Sequence, residues 1–420
     1  MIEVQEFITR RNKLYDKLKD NSVLILFAGV SVKRSADETY PFTINKNFYY
    51  LTGIEQEGSI LVVSKQDKAI NESLFISEYD EVKEKWTGKR LRVDEAKKKS
   101  GINNIFYLNT FQSEINTIIT RKKIGVERIS TIYLDLEPQN MLDNFKTTKD
   151  YLEIFELNYP WVTVLNIYDE IIRLRMVKSS AEVEELKDAI SKTNIGLKQI
   201  LKNLQPGKYE YQLSSLFYYT IQDNDHSELS FPTICASGAN ATCLHYPNAS
   251  SKIADGDLVL FDLGSQNNYY CGDISRTYPA NGKFSQRQKD IYNIVLATNK
   301  LVAESVRPGV TLKELNDIAT KNLAEGLLKL GLIENESEVR KYYFHSIGHH
   351  LGLDTHDPSI REEPLVSGNV ITDEPGLYIK ELGIGIRIED DILVTDDGSY
   401  VLSGKIIKEI DEIEKAMESI

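Results

Sequence analysis

"SSAEVEELKDAISKTNIGLKQILKNLQPG", residues 179–207, is the stretch on which the fold turns. It reads as one long helix. Ser179 stands three residues before Glu182, the spacing of a capping box, and Gln205-Pro206-Gly207 closes the helix. A second helix, "YEYQLSSLFYYTIQDN" (209–224), follows. Further along the chain the same grammar returns. "FSQRQKDIYNIVLATNKLVAESVRPG" (284–309) has Ser285 and Gln288 in box positions and ends in Pro308-Gly309. It leads into "TLKELNDIATKNLAEGLLKLG" (311–331), capped by Thr311 with Glu314. Helix pairs are common, and two similar ones need not be related. Agreement of helix length, cap and Pro-Gly turn together favours an internal duplication. A duplicated α+β half predicts one domain with a pseudo-two-fold and a cleft between its halves.

Outward from that unit, the chain of 420 residues is too long for one ordinary core, and two domains are expected. The style changes near Ile171, which predicts an α/β domain over 1–170 and the duplicated α+β domain over 171–420. In the first part a charged helix covers roughly 3–19. Candidate strands are "SVLILFAG" (22–29), "SILVVS" (59–64), "SLFIS" (73–77), "NIFYL" (104–108) and, more weakly, "KIGVE" (123–127). Helices are expected within 77–90 and 110–121. No GxGxxG and no Walker motif marks a nucleotide site. In the tail, Ile406, Ile410, Ile413, Met417 and Ile420 recur at helical spacing, a face expected to pack on its own domain.

The formal net charge of -13 repels nucleic acid and anionic membrane, so neither is expected as a partner. The opening residues, MIEVQEFITRRNKLY, carry no apolar signal-peptide core, and "SVLILFAG" is far too short to span a bilayer. Cys235, Cys243 and Cys271 form no CxxC pair and leave an odd count, which suits a reducing compartment. The expected location is cytoplasmic.

The chemistry begins at "DLVLFDLGSQNNYYCGDISRTYP" (257–279), two strands joined by a turn. A two-residue turn at Asn267-Asn268 would set Asp262 directly across from Asp273, with Cβ atoms ~4.5–5.5 Å apart. Like charges that close call for a dication, or for Arg276 to neutralise one of them. "VITDEPGLYI" (370–379) puts Glu374 at a strand end before a Pro-Gly turn. In "GIGIRIEDDILVT" (383–395), Ile384, Ile386 and Ile388 form a core face. The other face carries Gly383, Gly385, Arg387 and Glu389, and is either exposed or the lining of a polar cleft. Its glycines suggest close approach by a ligand or by backbone. Four of the six histidines, His345, His349, His350 and His356, lie in "HSIGHHLGLDTH" (345–356). No HExxH is present, and Gly348 and Gly352 argue against a regular helix there. Together Asp262, Asp273, His349, Glu374 and Glu389 make an oxygen-rich set that favours two dications, manganese before zinc, with iron and cobalt open.

At these residues the sequence resembles, over nearly its whole length, the aminopeptidase P group of the pita-bread metallopeptidases. "YPFTINKNFYYLTG" (40–53) is similar to that group's N-terminal signature. The hairpin, "HSIGHHLGLDTHD", "DEPGLYI" and "GIRIEDD" are similar to its metal and pocket motifs. The resemblance implies a two-manganese centre and hydrolysis before proline. It implies Asp262 as terminal ligand of one metal, His349 and Glu374 on the other, and Asp273 and Glu389 bridging. Glu374 would handle the proton of the attacking water. His245 and His356 would hold the substrate and its tetrahedral intermediate. His345, Arg387 and Tyr378 would line the substrate side, with His345 toward proline. Peptides with proline second are the expected substrates, and a homodimer or homotetramer the expected assembly. An Xaa-Pro dipeptidase shares the metal shell and is the nearest rival. A methionine aminopeptidase fits the long N-terminal part poorly, and creatinase-like or non-catalytic relatives lack the complete shell. Two departures stand out: Ser346, where relatives often have glycine, and His350, which has no assigned role.

Overall fold

Apolar, β-branched runs build the first part of the chain around a sheet. The computed structural model describes residues 2–121, 127–137, 146–360 and 362–418. They divide into two compact units, Ile2–Arg175 and Met176–Ile420. In the first, α1 (Val4–Tyr15), β1 (Ser22–Phe27), α2 (Lys46–Thr52), β2 (Ile60–Gln66) and β3 (Ala69–Ile76) are followed by α3 (Glu81–Thr87), α4 (Val93–Ser100) and β4 (Asn104–Tyr107). Then come α5 (Phe111–Thr120), β5 (Thr131–Leu134), α6 (Lys146–Asn158), β6 (Thr163–Asn166) and α7 (Tyr168–Met176). The six strands form one mixed sheet, ordered β4-β3-β2-β1-β5-β6. β1 is buried along its whole length and pairs antiparallel with β2 and parallel with β5. Strands β5 and β6 extend the sheet beyond the strands expected from the sequence. The candidate strand at 123–127 lies, but for Glu127, outside the described residues.

The second unit opens with α8 (Ser180–Asn203) and α9 (Glu210–Asp225), then β7 (Ile234–Ser237), β8 (Leu258–Leu263), β9 (Gln266–Asn267), β10 (Tyr270–Cys271) and β11 (Ile274–Pro279). A second helix pair follows, α10 (Gln286–Ser305) and α11 (Leu312–Lys329), then β12 (Val370–Asp373), β13 (Gly376–Ile379), β14 (Ile384–Arg387), β15 (Asp390–Val394), β16 (Ser399–Val401) and α12 (Ile410–Glu418). Each helix pair precedes a three-stranded sheet, β11-β8-β7 in the first half and β12-β15-β16 in the second. The three anticipated capping boxes form, at Ser179/Glu182, Ser285/Gln288 and Thr311/Glu314. Gly207 and Gly309 take left-handed φ values of 93° and 89° in the matching turns. Both crossings also exclude a side chain. A Cβ on Gly196 of α8 would overlap the Phe217 ring of α9, and one on Gly326 of α11 would overlap Ile294 of α10. The duplicated arrangement is therefore present in caps, turns and crossings alike. Ile406 and Ile413 of the tail are buried in the core shared by both helix pairs, so α12 packs on its own unit; Ile420 lies outside the described residues.

The hairpin differs from the expected register. Its turn is Asn268–Tyr269, both with positive φ (46° and 69°), and Asp262 faces Ser275 rather than Asp273. The reason lies in α8. Glu185 accepts hydrogen bonds from the Asn267 and Asn268 side chains, and Tyr270 Oη donates to Glu182 at 2.9 Å. These contacts pull the turn one residue along. A turn moved by one residue shifts the pairing by two, which leaves side-chain faces unchanged. Asp262 and Asp273 thus stay on one face, as diagonal neighbours.

Candidate metal centre

Strand alternation and turns bring the acidic groups to one place. Asp262 lies in β8, Asp273 just before β11, Glu374 between β12 and β13, and Glu389 between β14 and β15. His349 comes from the segment before β12, which forms no helix. Their ligand atoms make overlapping groups: Asp262, Asp273 and Glu389; His349, Glu374 and Glu389; Asp273, His349 and His356. Within each group all atoms lie inside 4.8 Å. All five expected ligands are therefore together, and His356, expected only beside the shell, reaches the same distance.

Such crowding is costly without a cation. Burial first, then Glu389 and Asp262, holds the Asp273 carboxyl well above the usual range. Burial and Glu389 do the same to Glu374. Burial and Asp262 push Glu389 up to about 7. One cation answers them directly: Arg387 Nη2 reaches Asp262 Oδ2 at 2.5 Å. Asp262 Oδ1 remains buried with no hydrogen-bond partner. An orphaned buried carboxylate oxygen among mutually repelling carboxylates, with an imidazole opposite, fits a pair of hard or borderline dications.

Neighbours hold each group in place. His349 Nδ1 donates to the His350 carbonyl at 2.9 Å, which leaves Nε2 as the lone-pair nitrogen, 3.4 Å from Asp273 and 3.8 Å from Glu374. The His349 amide donates to Thr372 Oγ1 at 3.1 Å. Ser275 donates to Glu389 Oε2 and accepts from Arg387 Nε, both at 2.7 Å. The Asp273 amide donates to Asp391 Oδ2 at 3.2 Å. Arg276, the alternative partner for the aspartates, points away and pairs with Asp390 at 2.7 Å. Gly385, Arg387 and Glu389 of the polar face are buried while Gly383 is half-buried, and Gly385 is glycine because the Ala241 carbonyl approaches it, so backbone rather than ligand fills that space.

Beside the acidic cluster, His345 Nδ1 donates to the Ser346 carbonyl at 2.7 Å, so its Nε2 accepts from Tyr378 Oη at 2.9 Å. Arg387 Nη1 donates to the same hydroxyl at 3.0 Å. Burial and the nearby Arg387 push His345 down to about 4, leaving it neutral. Tyr343, Tyr378 and Phe344 surround its ring at 4.9, 5.5 and 6.5 Å. Exposed His245 is close enough to depress both His345 and His356, the latter mainly through burial and His349. His350 is 2% exposed and its Nδ1 has no partner; burial and Lys178 push it down to about 3. Its service to the centre is its carbonyl, not its ring. Sequence reasoning missed Ser275, Thr372 and Asp391. For Ser275 a signal existed, since strand alternation from Asp273 puts it on the ligand face.

Residues 184–396 match metallopeptidase family M24, and residues 7–126 match the aminopeptidase P N-terminal domain. A Haemophilus influenzae Xaa-Pro aminopeptidase is 32% identical over 98% of this chain and 97% of its own. A solved structure of a candidate aminopeptidase P from Bacillus anthracis superposes with a TM-score of 0.97 at 44% identity, over 100% of this chain and 99% of that one. That of Escherichia coli aminopeptidase P with the inhibitor Pro-Leu gives 0.91 at 30% identity, with the same coverage.

Proposed function

The chain belongs to metallopeptidase family M24, in its aminopeptidase P branch with the pita-bread catalytic fold, and on that premise we propose its reaction: hydrolysis of the bond between an N-terminal residue and a following proline, in tripeptides and longer peptides. The observation that carries the reading is the complete ligand set, Asp262, Asp273, His349, Glu374 and Glu389, around an orphaned carboxylate oxygen. These residues would hold two metal ions, manganese by the oxygen-rich donor set. When bound, the metals supply Lewis acidity toward the scissile carbonyl and activation of water at neutral pH.

The rest is work for side chains. Glu374 takes a proton from the attacking water and delivers it to the proline nitrogen. His356 and His245 present imidazoles toward the developing oxyanion. Asp262 is the acceptor for the peptide's free amino group. His345 has both ring nitrogens engaged, so it offers proline an aromatic wall, shared with Tyr378, rather than a hydrogen bond. Arg387 fixes that wall to the metal shell by bonding Tyr378, Ser275 and Asp262 together. A homodimer or homotetramer and a cytoplasmic location belong to the same reading; the described cysteines are free thiols.

The test is a rate comparison on manganese-loaded protein. Arg-Pro-Pro should be cleaved efficiently. Cleavage of Arg-Pro and Ala-Pro without cleavage of the tripeptide would make the chain a dipeptidase instead.

A further inference from the structure

Lys178 and Asp357, 179 residues apart, form an ion pair of 3.0 Å in which each side chain is 1% exposed. A pair this deep is expensive to desolvate, and apolar residues of similar size often serve stability as well or better. Stability alone therefore does not account for it. Its surroundings do. The Asp357 carboxylate is the hub of a tight loop: the Asp354 amide donates to Oδ1 at 3.3 Å, while Oδ2 takes the lysine. The Asp357 amide donates to the His350 carbonyl at 2.9 Å, and the Gly352 amide to Asp354 at 3.1 Å. Gly352 must lack a side chain, because a Cβ there would stand 2.5 Å from Asp357 Oδ2. Lys178 is pinned in turn, its amide donating to the Gly368 carbonyl at 2.8 Å.

The loop begins at His349 and ends at His356, whose rings lie 4.2 Å apart. The His350 carbonyl that receives the Asp357 amide is also the one that orients His349. We propose that the buried Lys178–Asp357 pair is a positioning device that sets the spacing of the His349 and His356 imidazoles, and so couples a metal ligand to a substrate-side group. Lys178 and Asp357 touch neither metal nor peptide; they act through the loop. The activity part of this inference rests on the peptidase reading above, whereas the metal part does not.

The experiment uses the full chain loaded with cobalt. Lys178→Met and the neutral pair Lys178→Met/Asp357→Asn are compared with the parent. Methionine keeps the lysine stem, and asparagine keeps an acceptor for the Asp354 amide, so the double variant retains the packing. The expected result is a double variant that melts near the parent, with an altered visible absorption band, cobalt affinity lower by about 10- to 100-fold and kcat lower by a similar factor at little-changed KM. An unchanged band, affinity and kcat, with only a lower melting temperature, would reduce the pair to structure and overturn the proposal. A parent that shows the band but cleaves no Xaa-Pro peptide would sink the peptidase reading and leave the spectral comparison standing.

Discussion

The two halves of the catalytic unit share a scaffold and differ in chemistry. Helix pair, Pro-Gly turn and three-stranded sheet recur in both. The first half contributes two aspartates from one hairpin, Asp262 held by strand pairing and Asp273, just before its strand, by its amide's hydrogen bond to Asp391. The second contributes a histidine and two glutamates from strand junctions and an irregular segment, held by side-chain and backbone hydrogen bonds. The lesson is a division of labour. The hairpin supplies only carboxylates, and the second half adds two more together with the imidazole of the expected set.

That comparison breaks most visibly at Asp273, the hairpin residue whose carboxylate meets groups of both halves. Asp273→Asn should lose metal and activity together, activity by about 10²–10³-fold or more. Metal analysis with both sites fully occupied would refute the bridging role. A smaller contrast concerns the helix crossings. Gly196→Ala must displace the fully buried Phe217 ring, and Gly326→Ala only the half-buried Ile294. Both should destabilise by about 1–3 kcal/mol, with Gly196→Ala the worse, as read by denaturant unfolding. Equal losses would mean that the halves tolerate crowding alike.

A third contrast is between the loaded and the metal-free chain. Asp273, Glu374 and Glu389 have folded values above their unfolded ones. The stability they contribute without metal is full below the ordinary carboxylate range and is lost as pH rises, through about 7 for Glu389. Manganese should therefore raise the melting temperature more at about pH 8 than at about pH 5.5. The reverse order in a thermal melt would show that the carboxylates are not strained without metal. The smallest effects are expected at the caps. Ser179→Ala and Thr311→Ala should each cost about 1 kcal/mol, Ser179 more because its partner Glu182 is buried. Circular dichroism of the unfolding transition measures both.

Much of this was legible because it is local. A capping box, a Pro-Gly turn and a period-2 strand each declare themselves within a few residues, so the duplicated halves and the shared face of Asp262 and Asp273 could be read directly. The register could not be, because the turn is settled by Glu185 and Glu182 of α8, far away in sequence. Whether Arg276 neutralises one of the aspartates is open in the sequence for the same reason. The structure decides it by packing: Arg276 is taken by Asp390, and Arg387, expected on the cleft face, is the residue that pairs with Asp262. His350 drew attention as one of four clustered histidines, yet its contribution is a backbone carbonyl that any residue would supply.

The contact between Gly385 and the Ala241 carbonyl has a further consequence. It is a seam of main chain against main chain, one side from each half. A side chain at position 385 would overlap both the carbonyl and the Cβ of Ala241, so the close approach of the halves there depends on glycine. A bulkier residue at 385 would have to part the two halves at the strand that also carries Arg387, and so would disturb the pairing of Arg387 with Asp262 without touching either residue.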